Sequence, residues 1–338
     1  AVAPNTLPAN AAARRSPSLP PPRPAPLPTP IPEPNRSAPA RAGPPPPAPG
    51  ALWAGDFADP FVLLAGTTYY AFATQAGLTD VQTIKSVDLV HWQWVGDALP
   101  KLPSWSSFGS VWGPAVLARP PSYVLYYATR QAATGRQCIS RAVSVLPQGP
   151  YIDTSDGPVV CQLDRGGSID PSPFVGPDGT AWLQWKSEGT LQGEPTRIWS
   201  QQLSADGQQV VGQPVELLHT DQAWELPIVE GPSMAQVGGL YYLLFSAGRW
   251  ETSSYAIGYA VCAGPAGPCH EPTAGPVLAS SGAMAGPGGP DAFRDLTGSW
   301  HLAFHAWTAP DVGYPAGARS FRIAPLTMDG GKVTVGGP

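Results

Sequence analysis

One short pattern recurs five times and confines the chain to very few folds. A turn residue followed by an aromatic-rich apolar run reads GTTYYAFA from Gly66, PSYVLYYA from Pro121, GTAWLQWK from Gly179, GLYYLLFS from Gly239 and GSWHLAFH from Gly298. The steps are 55, 58, 60 and 59 residues. Aromatic and β-branched residues bounded by turn residues are the mark of buried strands. A second element precedes each run: DPFVLL from Asp59, WGPAVL from Trp112, DPSPFV from Asp170, EGPSMA from Glu230 and GPDAFR from Gly289. Each holds a proline beside small or apolar residues. Proline in a sheet is confined to strand starts and edges, so each marks where a strand begins. Five such units, with room for four strands apiece, predict an all-β protein: a five-bladed β-propeller over residues 51–338.

Residues 1–50 are of another kind. They hold 18 of the 44 prolines and no aromatic residue. Such a segment cannot bury enough apolar surface to offset its ordering entropy, so a disordered Pro-rich tail or linker is expected, with a ligand for a partner module as its alternative. Five arginines against one glutamate give the tail +4, which leaves the rest of the −5 chain at −9. An acidic domain argues against nucleic acid as a partner, and no apolar run is long enough for a membrane span. A monomer is expected.

Four cysteines are present, and Cys262 and Cys269 close the tight loop CAGPAGPC. An even count without CxxC or clustered-histidine spacing favours two disulfides, Cys138–Cys161 and Cys262–Cys269, over zinc. Disulfides place the protein outside the cytoplasm, with a secretory signal expected upstream of Ala1.

The propeller changes the meaning of the acids. The first strand of each blade lines the central channel, so strand-start residues far apart in sequence converge at its mouth. Asp59, Asp170 and Glu230 are such residues. Converging carboxylates repel and cost stability, which points to use rather than to a passive binding platform.

These segments resemble the five-bladed propellers of glycoside hydrolase family 43, the arabinofuranosidases, arabinanases and β-xylosidases. The resemblance covers about residues 51–330. It rests on GDFADPFV, SVWGPAVL, GSIDPSPFVGPDGTAWLQWKSEG, WELPIVEGPSMAQVGGLYYLLFSAG, and GPGGPDAF with WHLAFHAW, in that order. It implies that Asp59 is a general base activating water, Glu230 a general acid protonating the leaving oxygen, and Asp170 a third carboxylate that raises and holds the acid. Asp56 is expected to be a turn residue. The resemblance also implies inversion, for which the base and acid carboxyls stand about 6.5–9.5 Å apart.

Around the acids, Trp112 is the best candidate for a sugar-stacking wall. Trp224, Lys186, His305 and Arg319 are further candidates for substrate binding, and Trp105 and Phe108 for a rim. Lys186 is expected to pair with Asp170. Many family members carry a blade 5 histidine that organises a central cation, often calcium. Here Gly289 stands at that slot, so no metal ligand is assigned and no cofactor is required; structural calcium would have to use His305 or Asp291. The function expected is that of a secreted, inverting, exo-acting α-L-arabinofuranosidase on arabinose- or xylose-containing glycans. A β-xylosidase or endo-arabinanase would use the same acids, and a non-catalytic glycan-binding propeller is the reading from another class.

Overall fold

The computed structural model describes Ala48 and residues 50–337; the Pro-rich tail expected over 1–50 lies almost wholly outside them. Five antiparallel meanders follow one another along the chain. Blade 1 is β1 (Phe61–Ala65), β2 (Thr68–Ala73), β3 (Gln82–Ser86) and β4 (Gln93–Asp97). Blade 2 is β5 (Trp112–Arg119), β6 (Ser122–Arg130) and β7 (Gln137–Ser144). Blade 3 is β8 (Ser168–Val175), β9 (Ala181–Ser187), β10 (Arg197–Leu203) and β11 (Val210–His219). Blade 4 is β12 (Val229–Val237), β13 (Leu240–Ala247), β14 (Ala256–Cys262) and β15 (Cys269–His270). Blade 5 is β16 (Met284–Arg294), β17 (Trp300–Thr308), β18 (Ser320–Asp329) and β19 (Lys332–Val335). The first strands β1, β5, β8, β12 and β16 touch one another in a ring around the axis. Each aromatic run of the sequence is the second strand of its blade. Apolar clusters fill the spaces between blades; one sets Leu117 and Val124 of blade 2 against Leu183 and Trp185 of blade 3.

Blade 2 has three strands rather than four. Isolated bridges Ile139–Val160 and Val143–Ile152 cover its outer edge, and the Cys138–Cys161 disulfide ties that segment to β7. The Cys262–Cys269 disulfide joins β14 to β15 at a directly paired position. Both expected pairings are present.

Among the described residues no blade is shared between the two chain ends: SFRIAPL lies in β18, the third of four blade 5 strands drawn from one stretch. Instead, the segment before β1 lies against β18, where Leu52 N–H donates to Phe321 O and Phe57 N–H to Arg319 O. Phe57 packs on Phe321, with ring centroids 5.3 Å apart.

One backbone device repeats in all five blades. The residue before the strand-start proline is left-handed: Asp59 (φ +52°), Gly113 (+52°), Asp170 (+54°), Gly231 (+57°) and Gly289 (+61°). In blades 2 to 5 this residue and its proline form a bulge in the pairing of first and second strands. Glycine adopts this conformation freely, whereas an aspartate there carries strain, more so before proline. At Gly113 a Cβ would also stand 3.1 Å from Asp170 Oδ1 and 3.2 Å from Asp170 Cα. Gly113→Ala is therefore expected to lower stability by about 1–3 kcal/mol, read as a drop of several degrees in Tm.

Candidate active site

The bulges lead the chain into a cavity of about 720 Å³ on the axis, lined among others by Asp59, Trp112, Asp170, Lys186, Glu230 and Arg319. That volume lies in the range of small-ligand sites. The three acids do not occupy equivalent positions. Asp59 and Asp170 sit at the left-handed residue itself; Glu230 precedes it, in the column of Trp112, Ile169 and Gly288. Asp59 belongs to blade 1 and the other two acids to blades 3 and 4. In a ring of five these are not neighbours, so Asp59 faces them across the axis.

The strand partners of that second column are Ala128, Lys186, Ser246 and His305. In blade 1 the counterpart is Thr74, whose N–H donates to Ala58 O. Aligned by their last residues, the five runs would put Ala73 there, one residue early. With the register corrected, four of the five are polar and each reaches into the next blade. Thr74 Oγ1 accepts from Gly113 N–H at 3.0 Å, and Ser246 Oγ from Gly289 N–H at 2.8 Å. His305 Nδ1 accepts from Asp59 N–H at 3.0 Å. Lys186 Nζ contacts Glu230 Oε2 at 2.9 Å. Three of the N–H groups at the left-handed residues, which the strand ladder leaves unpaired, are thus satisfied by these side chains.

Each acid has its own surroundings. Asp59 Oδ2 accepts from the Thr74 hydroxyl at 2.6 Å, and the Arg319 guanidinium lies 3.7 Å away. Arg319 is held between aromatic faces, 5.0 Å from the Trp250 ring centroid and 5.7 Å from that of Tyr314. Glu230, 8% exposed, accepts from Lys186 and from the Tyr255 hydroxyl at 2.7 Å. Gly288 leaves the space that the Tyr255 ring fills. Burial, then the charge of Glu230, hold the Tyr255 hydroxyl well above its usual range, so it remains a donor. Asp170 Oδ2 accepts from Gly231 N–H at 2.9 Å. Burial and repulsion by Glu230 and Asp59 raise Asp170 well above the carboxylate range, against the pull of Lys186. A buried carboxyl raised by a like charge holds its proton near neutral pH, and such a proton belongs to the pair rather than to one member.

Lys186 does not pair with Asp170 as expected. Its ammonium lies between Glu188 and Glu230, each at 2.9 Å, because the register of β9 aims it at blade 4. Burial works against its charge, but Glu230, Glu188 and Asp170 together keep it protonated. His305 is fully buried beneath Asp59 and does not line the cavity. Burial and the Arg319 charge depress it well below its usual range, so it is neutral. Trp224 is also outside the cavity: it stacks on Phe245 at 5.9 Å, over Gly258, where a side chain would collide with it. Trp105 donates to Ser155, and Phe108 is exposed away from the cavity. Asp56 accepts from Tyr314 O–H and Arg319 N–H, each at 2.7 Å, and so anchors the turn that positions Arg319. Thr74, Tyr255, Glu188, Trp250 and Tyr314 escaped sequence reading. Only the corrected strand register would have exposed Thr74.

The residues present do not make a calcium cradle at the blade 5 slot. A Cβ on Gly289 would stand 2.8 Å from His305 Nδ1, so His305 occupies the space. Its Nδ1 is engaged by Asp59, and its free Nε2 is a nitrogen donor, whereas calcium takes oxygen ligands. Asp291 instead accepts from Val62 N–H at 2.8 Å and joins blade 5 to blade 1.

A five-bladed propeller with a carboxylate-lined cavity on its axis is what the fold and site define. The sequence profile of the glycosyl hydrolases family 43 matches residues 51–333, and the chain belongs to that family. It is 28% identical over 232 residues to the β-D-galactofuranosidase xynD of Aspergillus niger, covering 63% of each chain. It is 26% identical over 161 residues to the extracellular endo-α-(1→5)-L-arabinanase of Thermotoga petrophila, covering 38% of this chain and 33% of that one. The chain thus spans less than two thirds of the length of these relatives. A crystal structure of a thermostable family-43 glycoside hydrolase superposes with a TM-score of 0.75 at 28% identity, over 84% of this chain and 93% of the other.

Asp291 gives a prediction for stability. It is 6% exposed, and burial raises it to about 7 against the opposing Val62 and Ser233 hydrogen bonds. The folded state therefore holds a proton that the unfolded chain releases near pH 4. Stability linked to this group is full below pH 4 and is lost as pH rises through 7. Asp291→Asn keeps an acceptor for Val62 and is expected to remove up to about 4 kcal/mol of this pH dependence, seen by comparing denaturation of the two proteins between pH 4 and 8.

Proposed function

We propose that the protein is an inverting glycoside hydrolase that removes terminal α-L-arabinofuranosyl residues from arabinose-containing glycans outside the cytoplasm. The observation that carries this is the division of the acids across one cavity. Asp170, raised by burial and by Glu230 beside it, stands on one side, and Asp59 stands on the other with a guanidinium and a hydroxyl donor. Hydrolysis through an oxocarbenium-like transition state needs one carboxyl that gives a proton and one that takes a proton from water.

In this reading Glu230 protonates the leaving oxygen, and Tyr255 and Lys186 fix its two oxygens. Asp170 keeps the proton on the pair by repulsion. Asp59 orients and deprotonates the attacking water, and Thr74 and Arg319 fix the carboxylate. Trp112 offers a flat face to the sugar ring. The furanose assignment is supported by the relatives, one named for galactofuranosides and one for arabinan. An α-L-arabinofuranosyl and a β-D-galactofuranosyl group share the configuration of the ring and differ in the side arm. The two disulfides support action outside the cytoplasm.

Aryl α-L-arabinofuranoside, β-D-galactofuranoside and β-D-xylopyranoside, with linear arabinan, test the reading. The expected result is fastest turnover of the arabinofuranoside, arabinose as the sole product, and inverted configuration by NMR at early times. Oligosaccharide products from arabinan would point to endo action, and a retained anomer would overturn the assignment of Asp59 as base. Glu230→Gln and Asp59→Asn should each lower kcat by about 10²–10⁴-fold without unfolding the protein, while Asp56→Asn should cost less than about tenfold. No turnover on any substrate would favour a glycan-binding propeller.

A further inference from the structure

Away from the cavity, the link from blade 3 to blade 4 forms a single 3₁₀ turn, Ala223–Glu225, capped by its own side chains. Glu225 Oε2 accepts from the N–H groups of Asp221 and Gln222 at 3.0 and 3.1 Å. The side chain is fully buried, and its other oxygen, Oε1, has no hydrogen-bond partner. A buried carboxylate oxygen without a donor is costly. It also has like charges for company: one ligand oxygen from each of Asp221, Glu225 and Glu271 lies within 4.8 Å of the other two. Among the described residues no salt bridge relieves this: His219, two residues before Asp221, pairs with Glu216 instead.

We propose that Asp221, Glu225 and Glu271 form a divalent-cation site of calcium type. The donors are all carboxylate oxygens, the hard ligands that calcium prefers over transition metals. Three negative charges on three chain positions are what a doubly charged ion would compensate. The Gln222 amide already bridges the two sides, donating to Glu271 Oε2 at 2.7 Å and to Thr273 O at 3.3 Å. The ion would join the inter-blade link, five residues before Glu230, to the outer edge of blade 4, where the Cys262–Cys269 disulfide holds the chain just ahead of Glu271. Its role is to fix the approach of β12, not to take part in bond cleavage.

The test uses the full chain stripped with EDTA and titrated with Ca²⁺, followed by Tm, and with Tb³⁺, whose luminescence is excited through Trp224 beside the site. Expected is a rise of several degrees in Tm with Ca²⁺ at an apparent Kd on the order of 10⁻⁴ M, and saturable Tb³⁺ emission that Ca²⁺ displaces. In Glu271→Gln and Asp221→Asn both responses should vanish or move at least tenfold to higher ion concentration. In EDTA the Glu271→Gln protein should melt above the wild type, because a repulsive charge is gone; in Ca²⁺ the order should reverse. A wild-type Tm indifferent to Ca²⁺, or a Ca²⁺ response kept in full by both variants, would overturn the proposal. If one variant fails to fold, the other decides between these outcomes.

Discussion

Everything at the centre of this propeller hangs on a backbone strain that five prolines repeat. Each first strand turns toward the axis through a left-handed residue placed before proline, a position most side chains avoid. Three blades satisfy it with glycine. Two spend it on aspartate, and those two aspartates line the cavity. The kink leaves an N–H unpaired, and in four blades a side chain of the preceding blade accepts from it. The strain at one blade is thus supported by its neighbour, and the acids inherit their placement from that ring of support.

The second constraint is charge. Three carboxylates share a largely buried space, which is tolerable only because two cations are held there with equal care. Lys186 reaches Glu230 from the neighbouring blade, and Arg319 lies between Trp250 and Tyr314 in front of Asp59. The counter-charges are unequal in placement. Asp170 has the weakest claim on either and is the acid driven highest. This asymmetry sets the raised Asp170, beside Glu230, apart from Asp59 across the cavity.

Blade number, strand starts and both disulfides were legible in the sequence, because aromatic runs, Pro-bearing strand starts and cysteine spacing are local signals that recur. The three acids were legible for the same reason. What sequence could not supply was register. A slip of one residue put Ala73 where Thr74 belongs, and with it the link from Thr74 to Asp59 disappeared. Lys186 was visible as a polar residue in an apolar strand, but its partner depends on which blade β9 faces. Trp224, a candidate for substrate binding from its place just ahead of Glu230, packs on Phe245 outside the cavity, a distinction that only tertiary contacts make. Tyr255 and Trp250 lie on links between strands, where no periodic pattern marks them.

Four of the five junctions between blades are continuous in the chain; the fifth, between blade 5 and blade 1, is not. It is held by side chains and by two backbone hydrogen bonds from the segment before β1. The same junction carries Asp59, its capping His305, and the Asp56 that positions Arg319. The molecule's mechanical seam and the carboxylate proposed to activate water are therefore one place. A fluctuation that parts the seam would scatter that carboxylate's partners, so under the proposed roles catalytic competence reports on ring closure as much as on the folding of the blades.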